Sequence, residues 1–414
     1  MNTKRLMRLL IVLFLLTALP GLTVALAQGP GGTAAPEAYS AYESEPNNAF
    51  GTADMIQVGD VVSARFNERN DHDFFVFSAP GDGFILAEAG YVGTNAIPKM
   101  KLYDRTGTLM TYEYESENIP LLFWRVKVAD SPYYIEVEDW YGDGGGSDYD
   151  YKVMLSSPLL ISAAPANLGT GMVAGIPFQA ADILAWSELN TGEERWVMLF
   201  DASDVGITKN IASIGLPTDG WTGDTLIMSF SANTAIPDLN QTATPYQLVG
   251  FDFDLNQVGQ YTEGQFIGKF GFTGLSTSAE KIDAWDSGGG AGCFGDAVST
   301  VGAAAVTTWW GSVMKQPDEN VFCWRWDHQG WDYFFNGKSV SGLAIEDVNA
   351  MAWDGSHGRL LLNILGNGSV MGHAVTQKDI FAINYPGYTW GGVAWHGPDH
   401  GWNYNIDAIE WTGW

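Results

Sequence analysis

The chain has 414 residues, with 20 lysines and arginines against 48 aspartates and glutamates, a formal net charge of −28. That balance opposes binding to phosphate backbones and anionic membrane surfaces and favours cations, which excludes nucleic acid as the expected partner. With 16% charged and 13% aromatic residues, 50 glycines, 17 tryptophans and no helical periodicity after the start, the composition points to a turn-rich all-β protein with apolar material for two cores.

Residues 1–27 open with Lys4, Arg5 and Arg8, continue in an apolar run from Leu9 and close on Ala25-Leu26-Ala27. This is the layout of a cleavable secretory signal, so the chain is expected to be secreted, extracellular or periplasmic. The run nears the length of a membrane span, and an uncleaved anchor is the alternative; Pro20, Gly21 and the small-residue site argue for cleavage. No second long apolar stretch follows, so no span is expected in the mature chain. Residues 28–42, rich in glycine, alanine and proline, read as a flexible tether with no means of packing.

From Glu43 the character changes. Glu43-Ser-Glu-Pro-Asn-Asn48, Asp71-His-Asp-Phe-Phe-Val-Phe-Ser78, Lys101-Leu-Tyr-Asp104, Tyr133-Tyr-Ile-Glu-Val137 and Tyr149-Asp-Tyr-Lys-Val153 are short alternating segments with turn signals between them. They suit a small β-sandwich over residues 43–157. In this order they resemble the bacterial pre-peptidase C-terminal domain, an accessory sandwich related to the collagen-binding domain of clostridial collagenases. The resemblance implies a modular appendage with no chemistry of its own. It also implies a calcium site made by Glu43, Glu45, Asn47, Asn48, Asp71 and Asp73. Calcium takes six to eight oxygens from carboxylates, amides and backbone, which these residues can offer. Asn48 stands where some members of that family have a carboxylate, and the alternative is a plain turn whose aspartates solvate a strand end. A further acidic stretch, Asp139 to Asp150, lacks the spacing and closing glutamate of an EF-hand and reads as a solvated hairpin.

Residues 158–414 repeat. Asp182-Ile-Leu-Ala-Trp186, Gln247-Leu-Val-Gly-Phe251, Asn320-Val-Phe-Cys-Trp324 and Asp379-Ile-Phe-Ala-Ile383 are four copies of one strand. A second segment, an aromatic strand running into a glycine turn, recurs at Phe200–Gly206, Gly271–Gly274, Gly337–Gly342 and Gly397–Gly401. A third recurs at Asn210–Ile214, Lys281–Trp285, Asp347–Met351 and Asn405–Ile409. A fourth recurs at Leu159–Ser162, Thr225–Met228, Ala297–Thr300 and Leu360–Asn363. A spacing of about 60 to 70 residues marks a radial or stacked array. The chain enters on the fourth segment and leaves on the third, yet every segment occurs four times. A four-bladed β-propeller closed by the C-terminal strand satisfies that arithmetic and removes sheet edges; an open solenoid or a sandwich with the same repeats is the alternative.

The order of segments resembles hemopexin-like propellers, which have four blades and an Asp-Ala signature on the innermost strand. That resemblance implies that Ala212-Ser213, Asp283-Ala284, Asn349-Ala350 and Asp407-Ala408 surround the axis. Asp283, Asn349 and Asp407 would then line a channel, either holding a cation or, the favoured reading, tying neighbouring blades together. Phe200-Asp-Ala-Ser-Asp-Val-Gly-Ile207 with a downstream Ile-Asp-Ala also resembles repeats of bacterial exported proteins to which no role attaches.

Cys293 and Cys323 lie in one repeat and would meet an oxidising compartment, so a disulfide is allowed; the alternative is that Cys323 fills a small buried position taken by Ala185, Gly250 and Ala382 elsewhere. Fifteen of the 17 tryptophans follow residue 157. Trp186, Trp285, Trp324 and Trp411 sit in repeated strand positions and are expected in the core. Trp309, Trp310, Trp390, Trp395 and Trp402 fall near turns and are the candidates for an exposed aromatic surface.

No zinc-protease, serine-hydrolase or cysteine-protease motif is present. His396, Asp399 and His400 are the one histidine cluster, on a turn. The sequence therefore reads as an exported, non-catalytic binding protein that attaches to extracellular protein or glycan and is stabilised by calcium. A hydrolase with an unrecognised site on a propeller face and a structural envelope component are the alternatives.

Overall fold

In residues 98–103 the pattern Pro-Lys-Met-Lys-Leu-Tyr alternates buried and half-buried positions, the period-two arrangement of a strand with one face on a core. A computed structural model describes residues 40–91, 95–113, 120–142, 144–163, 170–217, 225–253, 264–277, 280–287, 293 and 295–412. The expected signal peptide, and the tether up to residue 39, lie outside these residues.

Ten strands make two five-stranded sheets. They are β1 (Ser40–Tyr42), β2 (Asp54–Met55), β3 (Val61–Arg65), β4 (His72–Phe77), β5 (Gly83–Tyr91), β6 (Pro98–Tyr103), β7 (Leu109–Glu113), β8 (Leu121–Val126), β9 (Tyr133–Asp139) and β10 (Asp150–Ser156). One sheet has the order β1-β3-β10-β5-β8 and the other β2-β4-β9-β6-β7. Phe75, Ile85, Met100, Leu102, Ile135, Val137 and Leu155 are fully buried within their shared core. The end of the expected tether differs from the sequence reading: Ser40–Tyr42 pairs in parallel with β3, Ser40 opposite Val61. An extended backbone beside an unpaired sheet edge can gain ladder hydrogen bonds without a packed side chain.

The remaining residues form four antiparallel four-stranded blades. The innermost strands are Ile211–Gly215, Ile282–Asp286, Val348–Asp354 and Ile406–Trp411. The second strands are Leu159–Ala163, Thr225–Phe230, Gly295–Thr300 and Arg359–Ile364; the third are Ile183–Glu188, Gln247–Asp252, Val321–Arg325 and Asp379–Asn384. The outermost are Glu194–Phe200, Gln265–Gly271, Gly330–Phe335 and Thr389–His396. Each repeated segment thus marks one position in every blade. Leu159–Ala163 is buried at all five residues, which is why it reads as an unbroken aliphatic run rather than an alternation.

The C-terminal strand closes the ring. Ile406–Trp411 pairs with Leu159–Ala163, Leu159 opposite Trp411, so one blade joins the two ends of the repeat region. The innermost strands adjoin in the cyclic order 406–411, 211–215, 282–286, 348–354. A small hairpin that no repeated segment announces lies between the second and third strands of every blade. It runs Gly171–Val173 with Ile176–Phe178, Thr234–Ile236 with Gln241–Ala243, Ala304–Thr307 with Val313–Gln316, and Gly368–Val370 with His373–Val375. Strands of three or four residues are too short to show a period.

Sandwich and propeller share packing. Phe84 and Phe123 join a cluster with Phe200, Phe251 and Phe266. The Phe84 N–H donates to the Thr412 carbonyl at 3.0 Å. The Arg195 guanidinium grips the buried Glu88 carboxylate, with its Nε at 2.8 Å.

Candidate functional site

The loop from Glu43 to Asn48 leaves β1 and crosses the end of the sandwich beside the start of β4. Its carboxylates are fixed by backbone and amide donors. Glu43 accepts the Arg65 N–H at 2.5 Å, and Glu45 accepts the Asn47 N–H at 3.0 Å and the Asn67 side-chain amide at 2.6 Å. Asn47 is fully buried; its Nδ2 reaches Glu43 at 3.4 Å and Asp54 at 3.3 Å, while its Oδ1 meets no donor. Asp54 holds the loop from the other side by accepting both the N–H and the hydroxyl of Ser44, at 2.8 and 2.7 Å.

Strand β4 brings in Asp73, fully buried, with one oxygen accepting the Tyr151 hydroxyl and Oδ1 without a partner. Oxygens of Glu43, Glu45 and Asp73 lie within 4.8 Å of one another. Asn48 and Asp71 stand beside this group as a bonded pair: Asn48 donates to Asp71 at 3.0 Å, and Asp71 also accepts the Asn67 N–H at 2.6 Å. A pocket of about 400 Å³, lined by Tyr42, Glu43, Glu45, Asn67, Asp150 and Tyr151 among others, opens next to the carboxylates.

Burial makes these charges costly. Desolvation, then the charge of Glu43, pushes the Asp73 carboxyl up to about 9 against the Tyr151 hydrogen bond. Desolvation pushes Glu43 up to about 7, opposed by the Arg65 N–H and reinforced by Glu45. The nearby guanidinium of Arg65 is engaged by Asp150 at 2.5 Å. A hard cation among Glu43, Glu45 and Asp73 would satisfy the orphaned Oδ1 of Asp73 and relieve the repulsion, so the residues present fit calcium chemistry. Asp54, Asn67 and Tyr151 were not foreseen from the sequence; they act through partners 7 to 78 positions away, beyond any local motif.

On the propeller axis, every innermost strand shifts register at the same place. The irregularities fall between Ile211 and Ser213, Ile282 and Ala284, and Val348 and Ala350. In the closing blade Ile406 pairs with Ala163 and Ala408 with Ser162. The extra residues are therefore Ala212, Asp283, Asn349 and Asp407, equivalent bulge positions around the ring; a bulge re-aims its side chain. Asp407 accepts the side-chain amides of Asn210 and, at 3.4 Å, of Asn349, whose Nδ2 also donates to the Ile406 carbonyl at 2.6 Å. These bonds join neighbouring blades. Asp283 is buried next to Ser299 and near Asp347, with neither oxygen in a regular hydrogen bond. Desolvation raises Asp347 and Asp407 to about 7 and drives Asp283 well up, the charges of Asp347 and Asp407 adding to the last. Among the described residues these axial acids do not converge within ligand distance as the sandwich trio does.

No protein-family model matches the chain, and no curated protein does. Among solved structures, the pre-peptidase C-terminal domain of collagenase from Bacillus anthracis aligns at 13% identity and a TM-score of 0.22, over 25% of this chain and 94% of that domain. The β-propeller domain of Cps50 (Swd1) from Myceliophteria thermophila aligns at 10% identity and a TM-score of 0.26, over 78% of this chain and 93% of that one. The fold assignment rests on the strand pairing itself.

Other sequence candidates sort clearly. Cys293 and Cys323 are joined in a disulfide, with Cα atoms 5.4 Å apart. The histidines of the 396–400 turn part company: His396 bonds Asp379, and His400 bonds Glu194 at 2.8 Å. Trp395 and Trp402, expected at the surface, are buried at 4% and 0% exposure. Their turn folds back through a Trp402 N–H to Gly397 carbonyl bond of 2.8 Å, and Trp402 stacks between Phe178 and Trp196. Trp309 and Trp310 are exposed, and so is Trp326, which was not among the expected surface tryptophans. The sandwich also carries an unforeseen group, His72 with Glu136 at 2.7 Å and Glu138 at 3.4 Å, already crossed by Lys101.

Proposed function

We propose that this is an exported, non-catalytic binding protein in which a calcium ion braces the sandwich and the propeller serves as the platform that attaches to extracellular protein or polysaccharide. The supporting observation is the meeting of Glu43, Glu45 and Asp73 within 4.8 Å, with Oδ1 of the buried Asp73 unpartnered. Calcium would take Glu43, Glu45, Asn47 and Asp73 as direct ligands, with Asn48 and Asp71 orienting the loop. The charge of −28 agrees with a protein that gathers cations and avoids anionic surfaces. Asn349 and Asp407 are assigned to blade-to-blade bonding. The expected signal peptide accounts for export into a calcium-bearing medium.

The reading is tested by retention of the exported chain on matrix proteins, insoluble polysaccharides and cell-wall preparations, with and without calcium. It expects retention on at least one of them, weakened by a chelator. No retention on any surface in either condition would remove it.

A further inference from the structure

The third blade departs from the other three at one repeated place. The small hairpin between second and third strands turns at Ala174-Gly175 in one blade, between Ile236 and Gln241 in the next and at Met371-Gly372 in the last. In the third blade the same turn is Trp309-Trp310-Gly311, with the two indoles 44% and 50% exposed. Exposed indoles side by side cost solubility and serve no core, which marks an interaction surface.

The turn is held rigidly. Thr308 and Ser312 are joined by three hydrogen bonds of 2.8 to 2.9 Å, and the Trp309 N–H donates to the Trp331 carbonyl at 3.1 Å. Gly330 permits that approach, since a Cβ there would lie 2.6 Å from the Trp309 backbone. The adjoining turn after the third strand adds Trp326, 52% exposed, and His328, whose ring stacks on Trp309 at 4.5 Å. Arg325 pairs with Asp327 at 2.9 and 3.2 Å and sits 6.0 Å from the Trp309 ring centre, while His328 lies 3.3 Å from Asp327.

We propose that these two turns form a stacking site for the pyranose rings of a neutral polysaccharide, an inference that rests on the binding reading above and names its ligand class. A sugar ring presents C–H groups on a face, which the negative face of an indole attracts, and hydroxyls at its rim, which planar paired groups such as Arg325 and Asp327 can bridge. Arg325 faces two carboxylates, Asp327 at 2.9 Å and Asp332 at 3.7 Å, so the patch offers no unpaired positive charge to an anion, and a chain of net charge −28 repels polyanions, which leaves a neutral polysaccharide as the favoured ligand. A turn already fixed by backbone bonds loses little entropy on binding.

The test uses the exported chain, calcium present, with amorphous cellulose, chitin, xylan and starch in depletion and affinity-electrophoresis assays. The wild type is expected to bind at least one, and W309A/W310A to lose about tenfold or more in affinity with an unchanged melting temperature. W309F/W310F is expected to recover most of the loss, and Tyr141→Ala, an exposed aromatic change in the sandwich, to have no effect. Equal binding by W309A/W310A overturns the site. So does a wild type that binds none of the four, or a double variant whose sole change is loss of a concentration-dependent dimer. If the wild type instead holds a matrix protein and W309A/W310A holds it equally, the binding reading survives and the stacking site falls.

Discussion

At the sandwich edge Glu43, Glu45 and Asp73 arrive from two unrelated stretches of chain and meet within 4.8 Å, whereas on the propeller axis Asp283, Asn349 and Asp407 arrive from three copies of one stretch and are spread around a ring. Cyclic repetition places equivalent residues around an axis, within reach of the neighbouring blades, as Asp407 reaches Asn210 and Asn349. Convergence from non-equivalent elements has no such constraint and can crowd oxygens around one point. Similar residue types therefore do different work: the edge acids crowd together and suit an ion, while on the axis Asp407 and Asn349 join blades.

Opening the ring is the most severe perturbation. Deleting residues 405–414 removes an innermost strand and leaves Leu159–Ala163 paired on one side only, with Ile183–Glu188. Loss of the cooperative thermal transition and of near-UV circular dichroism is expected, rather than a trimmed but folded propeller. A smaller effect separates the two acid sets. Asp407→Ala leaves the buried amides of Asn210 and Asn349 short of an acceptor and should cost about 2 kcal/mol in urea unfolding, with calcium or without it. Asp73→Asn keeps an acceptor for Tyr151 and relieves repulsion, so the calcium-free protein should lose little or gain.

The dependence on pH is subtler. Asp73 at about 9 and Glu43 at about 7 lie above their ordinary values of 3.8 and 4.5, so the folded chain holds protons more tightly than the unfolded one. Their contribution is fully present below about 4 and is lost as pH rises through about 7 and then about 9. Melting curves without calcium should show that decline, and saturating calcium should abolish its upper part. A fall near pH 7 from Asp347 and Asp407 should persist under calcium, because those residues are not its ligands.

The ring was legible because each blade position has its own residue pattern, from the buried aliphatic second strand to the aromatic outer one, and because the last copy completed the first blade. The small hairpins were not, since three residues carry no period. Within the site, Glu43, Glu45, Asn47 and Asp73 stand in two short motifs. Asp54, Asn67 and Tyr151 reach the same place only through tertiary packing, and no local pattern marks them. Trp402 shows the converse error: a glycine-rich stretch reads as a surface turn, but here it doubles back and seats its indole against Phe178.

Calcium titration of the exported chain by isothermal calorimetry is the most direct test. Tight uptake is expected at one site, with proton release near pH 7 and a gain of about 2.7 kcal/mol in stability at a hundredfold excess over Kd. That binding should vanish in Asp73→Asn and remain in Asp283→Asn. Absence of calcium binding, or equal binding by Asp73→Asn, would contradict the assignment of the sandwich edge.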